Sequence, residues 1–218
     1  MLLAPRQRLL FIGDSITDAL RERPVGESCP WSPAGAGTGY VHMVNALLGA
    51  WAPHLGIRVL NVGVAGNTVR DLEARWKVDV EDLKPDWLSV MIGINDVWRQ
   101  FDSPSAPERA VDLEAYESTL NQLLARTRPS LQGLVVMSPF VIEKDGGDPM
   151  RKRMQVYGEA SRRLAKAHDA VFVDVQAAFD LLLEHQHECA VAWDRIHPLP
   201  VGHMAIARAF TRAVGLFP

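Results

Sequence analysis

The hydrophobic positions of this chain follow two rhythms that alternate along its length. Leu9–Ile12, Val59–Val62, Leu88–Ile92, Leu134–Met137 and Val171–Val175 are short apolar runs rich in β-branched residues, most of them closed by Gly, Pro or Asp. Their apolar residues do not alternate with polar ones, which is the pattern of strands buried on both faces of a parallel sheet. Between the runs the apolar period lengthens to that of a helix. Val69, Leu72, Trp76, Val80 and Leu83 share one face, with Thr68 and Asp71 spaced as a capping pair at its start. Leu113, Tyr116, Leu120 and Leu124 form a second stripe, flanked by Glu114, Glu117 and Arg126. Met154, Tyr157, Ser161, Leu164 and His168 form a third, and Ile206, Phe210, Ala213 and Phe217 mark a last helix from about Gly202 to Gly215.

Strand and helix in alternation predict a three-layer α/β/α sandwich, with about five parallel strands joined by right-handed crossovers. No repeat, low-complexity tract or composition break marks a linker, so residues 1–218 read as one domain. In such sheets ligands bind beyond the carboxyl ends of the strands, where the strand order reverses. The chemistry is therefore sought just after each strand.

Composition narrows the class. Twenty-three basic and 26 acidic side chains leave a net charge of −3 with no basic stripe, which argues against a nucleic-acid partner held by phosphate contacts. No apolar run reaches the ~18 residues of a membrane span. Pro5, Arg6 and Arg8 break up the N-terminal apolar residues, so no export signal is read and a cytoplasmic location is expected. Cys29 and Cys189 are far apart and in no metal-like spacing, and are expected to be free thiols, at least partly buried, in a reducing compartment.

Four segments carry candidate chemistry. Gly13-Asp14-Ser15 follows the first strand and would present Ser15 near a helix N-terminus, whose orphan N–H groups favour a developing anion. Asn61-Val62-Gly63-Val64-Ala65-Gly66-Asn67 follows the second, with glycines that let a backbone N–H such as that of Gly63 approach a ligand. Gly93-Ile94-Asn95-Asp96 follows the third and offers the Asn95 amide. Near the C-terminus, Asp194 and His197 are spaced to meet within one turn, leaving the second imidazole nitrogen to take a proton. Each segment alone is an ordinary turn or cap. Together they supply a nucleophile, a base with its orienting acid, and separate anion donors, the full set for acyl transfer. A base must be neutral to act, so activity is expected to rise from acid to neutral pH.

These segments resemble, in order, the four sequence blocks of the SGNH (GDSL) hydrolase family, and the resemblance runs from residue 9 to about residue 210. Longer stretches are similar to the small intracellular acetylxylan esterases within it: LFIGDSITD at 10–18, GTGYV at 37–41, GNTVRDL at 66–72, MIGINDVWRQ at 91–100 and AWDRIHPLPVGHMAIARA at 192–209. The resemblance implies a flavodoxin-like sheet in the order 2-1-3-4-5, with Ser15 as nucleophile and Asp194 and His197 completing a triad. It also implies an oxyanion hole made by the Ser15 N–H, the Gly63 N–H and the Asn95 side chain, no metal or other cofactor, and acetyl groups on xylo-oligosaccharides as substrate. Ala65 stands where many relatives have Ser.

Other features weigh in around this core. His203 is the rival base. Asp14, Trp98 and Trp193 are candidate substrate contacts, Asp14 by bracing the nucleophile turn and the two tryptophans as apolar walls or sugar-stacking platforms. Relatives of this type often form homo-oligomers, and Trp31 and Trp76 are expected to be exposed and to suit an interface. The glycine-rich 35–39 segment lacks the strand and lysine of a phosphate loop, and His185 and His187 lack a third metal ligand. Two alternatives remain open: a thioesterase or lysophospholipase with a longer acyl preference, and a non-catalytic carbohydrate-binding module.

Overall fold

The computed structural model describes residues 1–28, 32 and 34–216. Cys29, Trp31 and Phe217 lie outside the described residues. In chain order the elements are β1 (Arg8–Gly13), α1 (Ser15–Asp18), β2 (Gly26–Glu27), α2 (Tyr40–Trp51), β3 (Arg58–Asn61), α3 (Val69–Trp76), β4 (Trp87–Met91), α4 (Ile94–Asp102) and α5 (Leu113–Thr127). They continue with β5 (Gly133–Met137), α6 (Pro149–Ala167), β6 (Val171–Val173), α7 (Val175–Leu183), α8 (Glu188–Val191) and α9 (Pro200–Ala213).

The sheet runs β2-β3-β1-β4-β5-β6. Its five parallel strands reproduce the 2-1-3-4-5 order, and the fold is the expected α/β sandwich. The sixth strand is an addition: Gly26 and Glu27 pair antiparallel with Asn61 and Leu60 at the sheet edge. Two residues leave no periodicity to read, and an ion pair between Glu27 and Arg58 accompanies the pairing. Helices α2, α7 and α9 pack on one another, as do α3, α4, α5 and α6, and between them they flank the sheet. No helix among the described residues is long and apolar enough to cross a membrane.

The strands are buried because nearly every residue in them is apolar and both faces are covered; Leu9, Leu10, Phe11 and Ile12 of β1 are wholly inaccessible. Thr68 and Asp71 form the predicted capping box at the start of α3, the Thr68 N–H donating to Asp71 Oδ2 at 2.7 Å. Trp76 corrects an expectation. It is fully buried on the inner stripe of α3, and its Nε1–H donates to Thr127 Oγ1 at 2.7 Å, so it offers nothing to an interface. Past Trp76 the helix widens into a π-helical turn over Lys77–Glu81. Cys189 is exposed rather than buried, on the short helix α8. Val175 leaves the predicted last strand because Asp174 caps α7, accepting from the Ala177 N–H at 2.9 Å.

The register brings three strand ends together. Gly13 of β1 lies beside Met91 of β4, and Phe11 lies beside Asn61 of β3. Chain order reverses between β1 and β4, so the turns following β3, β1 and β4 share one crevice.

Candidate active site

The turn after β1 is sharp because Gly13 has no side chain; a Cβ there collides with the Met91 carbonyl and the Thr17 side chain. Asp14 then caps α1, its Oδ1 accepting from the Ile16 N–H at 3.0 Å. Burial, reinforced by nearby Asp96, pushes the Asp14 carboxyl up to about 7. Asp14 is only 1% exposed and braces the Ser15 turn from within.

Ser15 is the first residue of α1, and the Asp14 cap takes the Ile16 N–H, so the Ser15 N–H stays among the free donors at the helix start. Its Oγ lies 2.9 Å from His197 Nε2. The opposite nitrogen, Nδ1, lies 2.5 Å from Asp194 Oδ2. Asp194 Oδ1 accepts from the Ile196 N–H at 3.0 Å and the His197 N–H at 2.8 Å, so the acid and base are fixed in one turn. Burial raises the Asp194 carboxyl, but the hydrogen bonds from His197 and Ile196 outweigh it and hold it below the usual carboxylate range. A charged acceptor at Nδ1 fixes the tautomer that leaves Nε2 free to receive the Ser15 proton.

His203 is not placed to compete. Its Nδ1 accepts the Tyr40 N–H at 3.2 Å, at the start of α2. Burial first, and then the proximity of His197, push this imidazole down to about 4.

Asn95 lies in the first turn of α4 and is almost fully buried. Its Nδ2 donates to the Asn67 carbonyl at 3.0 Å, and its Oδ1 accepts from Arg99 at 3.2 Å. Those two bonds define which way the amide faces and leave one N–H of Nδ2 for a ligand.

Gly63 does not supply the other donor. Its N–H donates to Asn61 Oδ1 at 2.9 Å, and its carbonyl is taken by Arg21 Nε at 2.8 Å. The residue is buried with no room for a Cβ beside the Asp18 backbone. Its glycine character serves close packing. The exposed turn three residues on is better suited. Asn67 N–H closes it onto the Val64 carbonyl at 3.3 Å, with Gly66 at φ 80° in the left-handed region. That is position i+2 of a type II turn, where glycine is favoured. Among the described residues the Gly66 N–H has no acceptor. Both glycines were visible in one segment of the sequence; only the fold shows which N–H is spent.

Trp98 stands at the site: its half-buried ring meets His197 edge to face, 6.0 Å between centroids at 71°. Arg99 lies over the same indole at 4.6 Å. Trp193 adjoins Asp194 in sequence but is 74% exposed, and among the described residues no ring contact ties it to His197. Beside the Gly66 turn, a cavity of about 320 Å3 is lined by Gly66, Thr68, Arg70, Arg99 and Val111. The glycine-rich 35–39 segment is a loop leading to Gly39, the N-cap of α2. His185 and His187 are exposed, and no group of three or more metal-ligating side chains exists among the described residues.

A sheet of this order with a Ser–His–Asp relay at its switch point defines the class. The chain belongs to the GDSL-like lipase/acylhydrolase family, whose model matches residues 11–205. It is 52% identical over 215 residues to the acetylxylan esterase of Geobacillus stearothermophilus, covering 99% of this chain and 97% of that one. The crystal structure of that organism's Axe2, an acetylxylan esterase, superposes with a TM-score of 0.96 at 51% identity, covering 100% and 98% of the two chains. Catalytic mutants of Axe2 replace a serine, a histidine and an aspartate by alanine. LAE5, an α/β hydrolase enzyme from the metagenome of Lake Arreo, Spain, superposes equally well at a TM-score of 0.96 and 49% identity, covering 100% and 99%.

Proposed function

We propose that this chain is a serine esterase that removes acetyl groups from acetylated xylo-oligosaccharides through an acetyl-enzyme intermediate. The observation that carries the reading is the continuous relay from Ser15 Oγ through His197 to Asp194, at 2.9 and 2.5 Å, beside unspent N–H donors. His197 takes the Ser15 proton as Oγ attacks the ester carbonyl, and returns it to the departing sugar hydroxyl. Water then follows the same path and releases acetate. Asp194 stabilises the imidazolium formed at each attack. The Ser15 N–H, the Gly66 N–H and the free Asn95 N–H receive the charge that develops on the carbonyl oxygen. No metal or cofactor has a part in this scheme.

Similarity to the Geobacillus esterase supports the acetyl–xylose substrate. So does the polar lining of the cavity beside Gly66, where Arg70, Arg99 and Thr68 suit hydroxyl-rich sugar better than an acyl tail. Trp98, against His197, is the stacking wall for the sugar. In this reading residues 1–218 act as one domain, in the cytoplasm, as a homo-oligomer on small sugar fragments. Initial rates on 4-nitrophenyl acetate, butyrate and octanoate, with Ser15→Ala as control, test the core of it. Steep loss beyond acetate, abolished in the variant, followed by acetate release from acetylated xylo-oligosaccharides, is expected. Preference for octanoate moves the substrate to a lipid or thioester; a Ser15→Ala variant as active as the parent removes the mechanism.

A further inference from the structure

We propose that Arg75 is a positioning residue that sets the oxyanion donors relative to one another. The inference rests on the donor set proposed above. Arg75 lies at the end of α3, far in sequence from the nucleophile, yet its guanidinium reaches two active-site turns, those that follow β1 and β3. One terminal nitrogen donates to the Gly13 carbonyl at 3.0 Å, immediately before Asp14 and Ser15. The other donates to the Val62 carbonyl at 2.7 Å, and Nε donates to Asn67 Oδ1 at 2.7 Å. Asp79, one helical turn on, holds the same guanidinium at 2.5 Å and balances its charge.

These acceptors are the residues that aim the donors. Gly13 precedes the Ser15 N–H by two residues, and its carbonyl also accepts the Val64 N–H at 3.1 Å, which starts the Gly66 turn. Asn67 follows Gly66 directly, and its carbonyl receives the Asn95 amide at 3.0 Å. One planar cation thus connects the Ser15 turn to the Gly66 turn and, through Asn67, to Asn95. The guanidinium side chain is only 17% exposed, so these bonds compete little with water. Lysine cannot replace it, because a single ammonium cannot span acceptors held by both ends of a rigid fork. Arg75 touches no reacting atom in this arrangement; its effect is confined to where three N–H groups point.

That confinement gives the test its form. Donors aimed at a tetrahedral oxyanion act in the transition state and little in the ground state, so a misaimed set lowers kcat and spares KM. On 4-nitrophenyl acetate, Arg75→Lys is expected to lower kcat by up to ~10²-fold, the scale of an ångström's misplacement, with KM nearly unchanged. Inhibition by phenylboronic acid, whose adduct on Ser15 is tetrahedral, weakens in parallel. Asn67→Ala, which removes one acceptor and leaves the cation in place, gives the same split at smaller size and serves if Arg75→Lys fails to fold. A kcat and boronate affinity within about twofold of the parent in both variants overturns the inference. A rise in KM with kcat unchanged does so too. Ser15→Ala in the same assay separates the two layers. If it retains turnover the nucleophile assignment fails; if it is inactive while Arg75→Lys matches the parent, only the role of Arg75 falls.

Discussion

The two halves of the site are built by different means. The acid–base half is a single turn: Asp194 and His197 are three residues apart, and both Oδ1 bonds close within that span. Its imidazole is 39% exposed. The half that holds the nucleophile and the proposed donors is assembled from three strand ends on buried supports, with the Gly66 turn at its exposed edge. Asn61 alone ties the Thr17 and Ala36 carbonyls at 2.6 and 2.8 Å and the Gly63 N–H at 2.9 Å, with no exposure of its own. The difference follows from the chemistry. A base must move a proton out to a leaving group and in from water, so it sits at the rim on a local turn. An oxyanion hole works by not moving, and rigidity requires long-range bonds that water does not contest.

The largest effect is expected when the nucleophile and the base are removed together. Ser15→Ala and His197→Ala should each lower kcat by ~10⁶, Asp194→Ala somewhat less, and the double variant no further than either single. Additive losses, measured with 4-nitrophenyl acetate, would mean that the two halves do not act as one unit.

Next in size is Asn95→Ala, expected to cost ~10²–10³ in kcat at little change in KM. The glycines then separate donor from packing. Gly66→Ala strains a residue at φ 80° and tilts its N–H, so kcat should fall while the melting temperature changes little. Gly63→Ala forces a methyl against the Asp18 backbone, so the melting temperature should fall first. The opposite pattern would return the donor role to Gly63.

The smallest effects are in stability against pH. Asp96 is buried, which pushes its carboxyl up to about 7, and one of its oxygens has no partner. A raised folded value means the folded state holds more protons than the unfolded one, so this group's contribution is lost as pH rises toward and through 7. Asp96→Asn keeps an acceptor for the Val69 N–H and removes the charge. It should raise the melting temperature by a few degrees at pH 8 and by less at pH 5, an interval on the order of what 1 kcal/mol produces in a chain of this size. His203 runs the other way. Lowered to about 4, it makes the folded state bind fewer protons, so stability is lost as pH falls from ~6.5 toward that value. Thermal melts of His203→Gln at pH 5 and 8 should show a smaller acid loss than the parent.

Much of the fold was legible because its cause is local. The β-branched runs became the five parallel strands, and Thr68 with Asp71 closed the box that starts α3. The edge strand at Gly26–Glu27 was not, since its ladder partners, Leu60 and Asn61, lie far along the chain. Trp76 belonged to the inner stripe by spacing, and only Thr127 beneath its indole excluded a surface role.

The site divides along the same line. By itself the sequence pointed to the groups that meet, because Ser15 follows a strand and Asp194 reaches His197 within one turn, where chain connectivity alone enforces the meeting. Tertiary structure alone decided which N–H groups are free. Whether Gly63 or Gly66 has a free N–H depends on where the Asn61 amide lies, and the aim of Asn95 depends on Arg99 and on Asn67, itself held by Arg75. A hydrogen bond consumes one N–H and leaves its neighbour free, and that choice is made only when distant strand ends come into register.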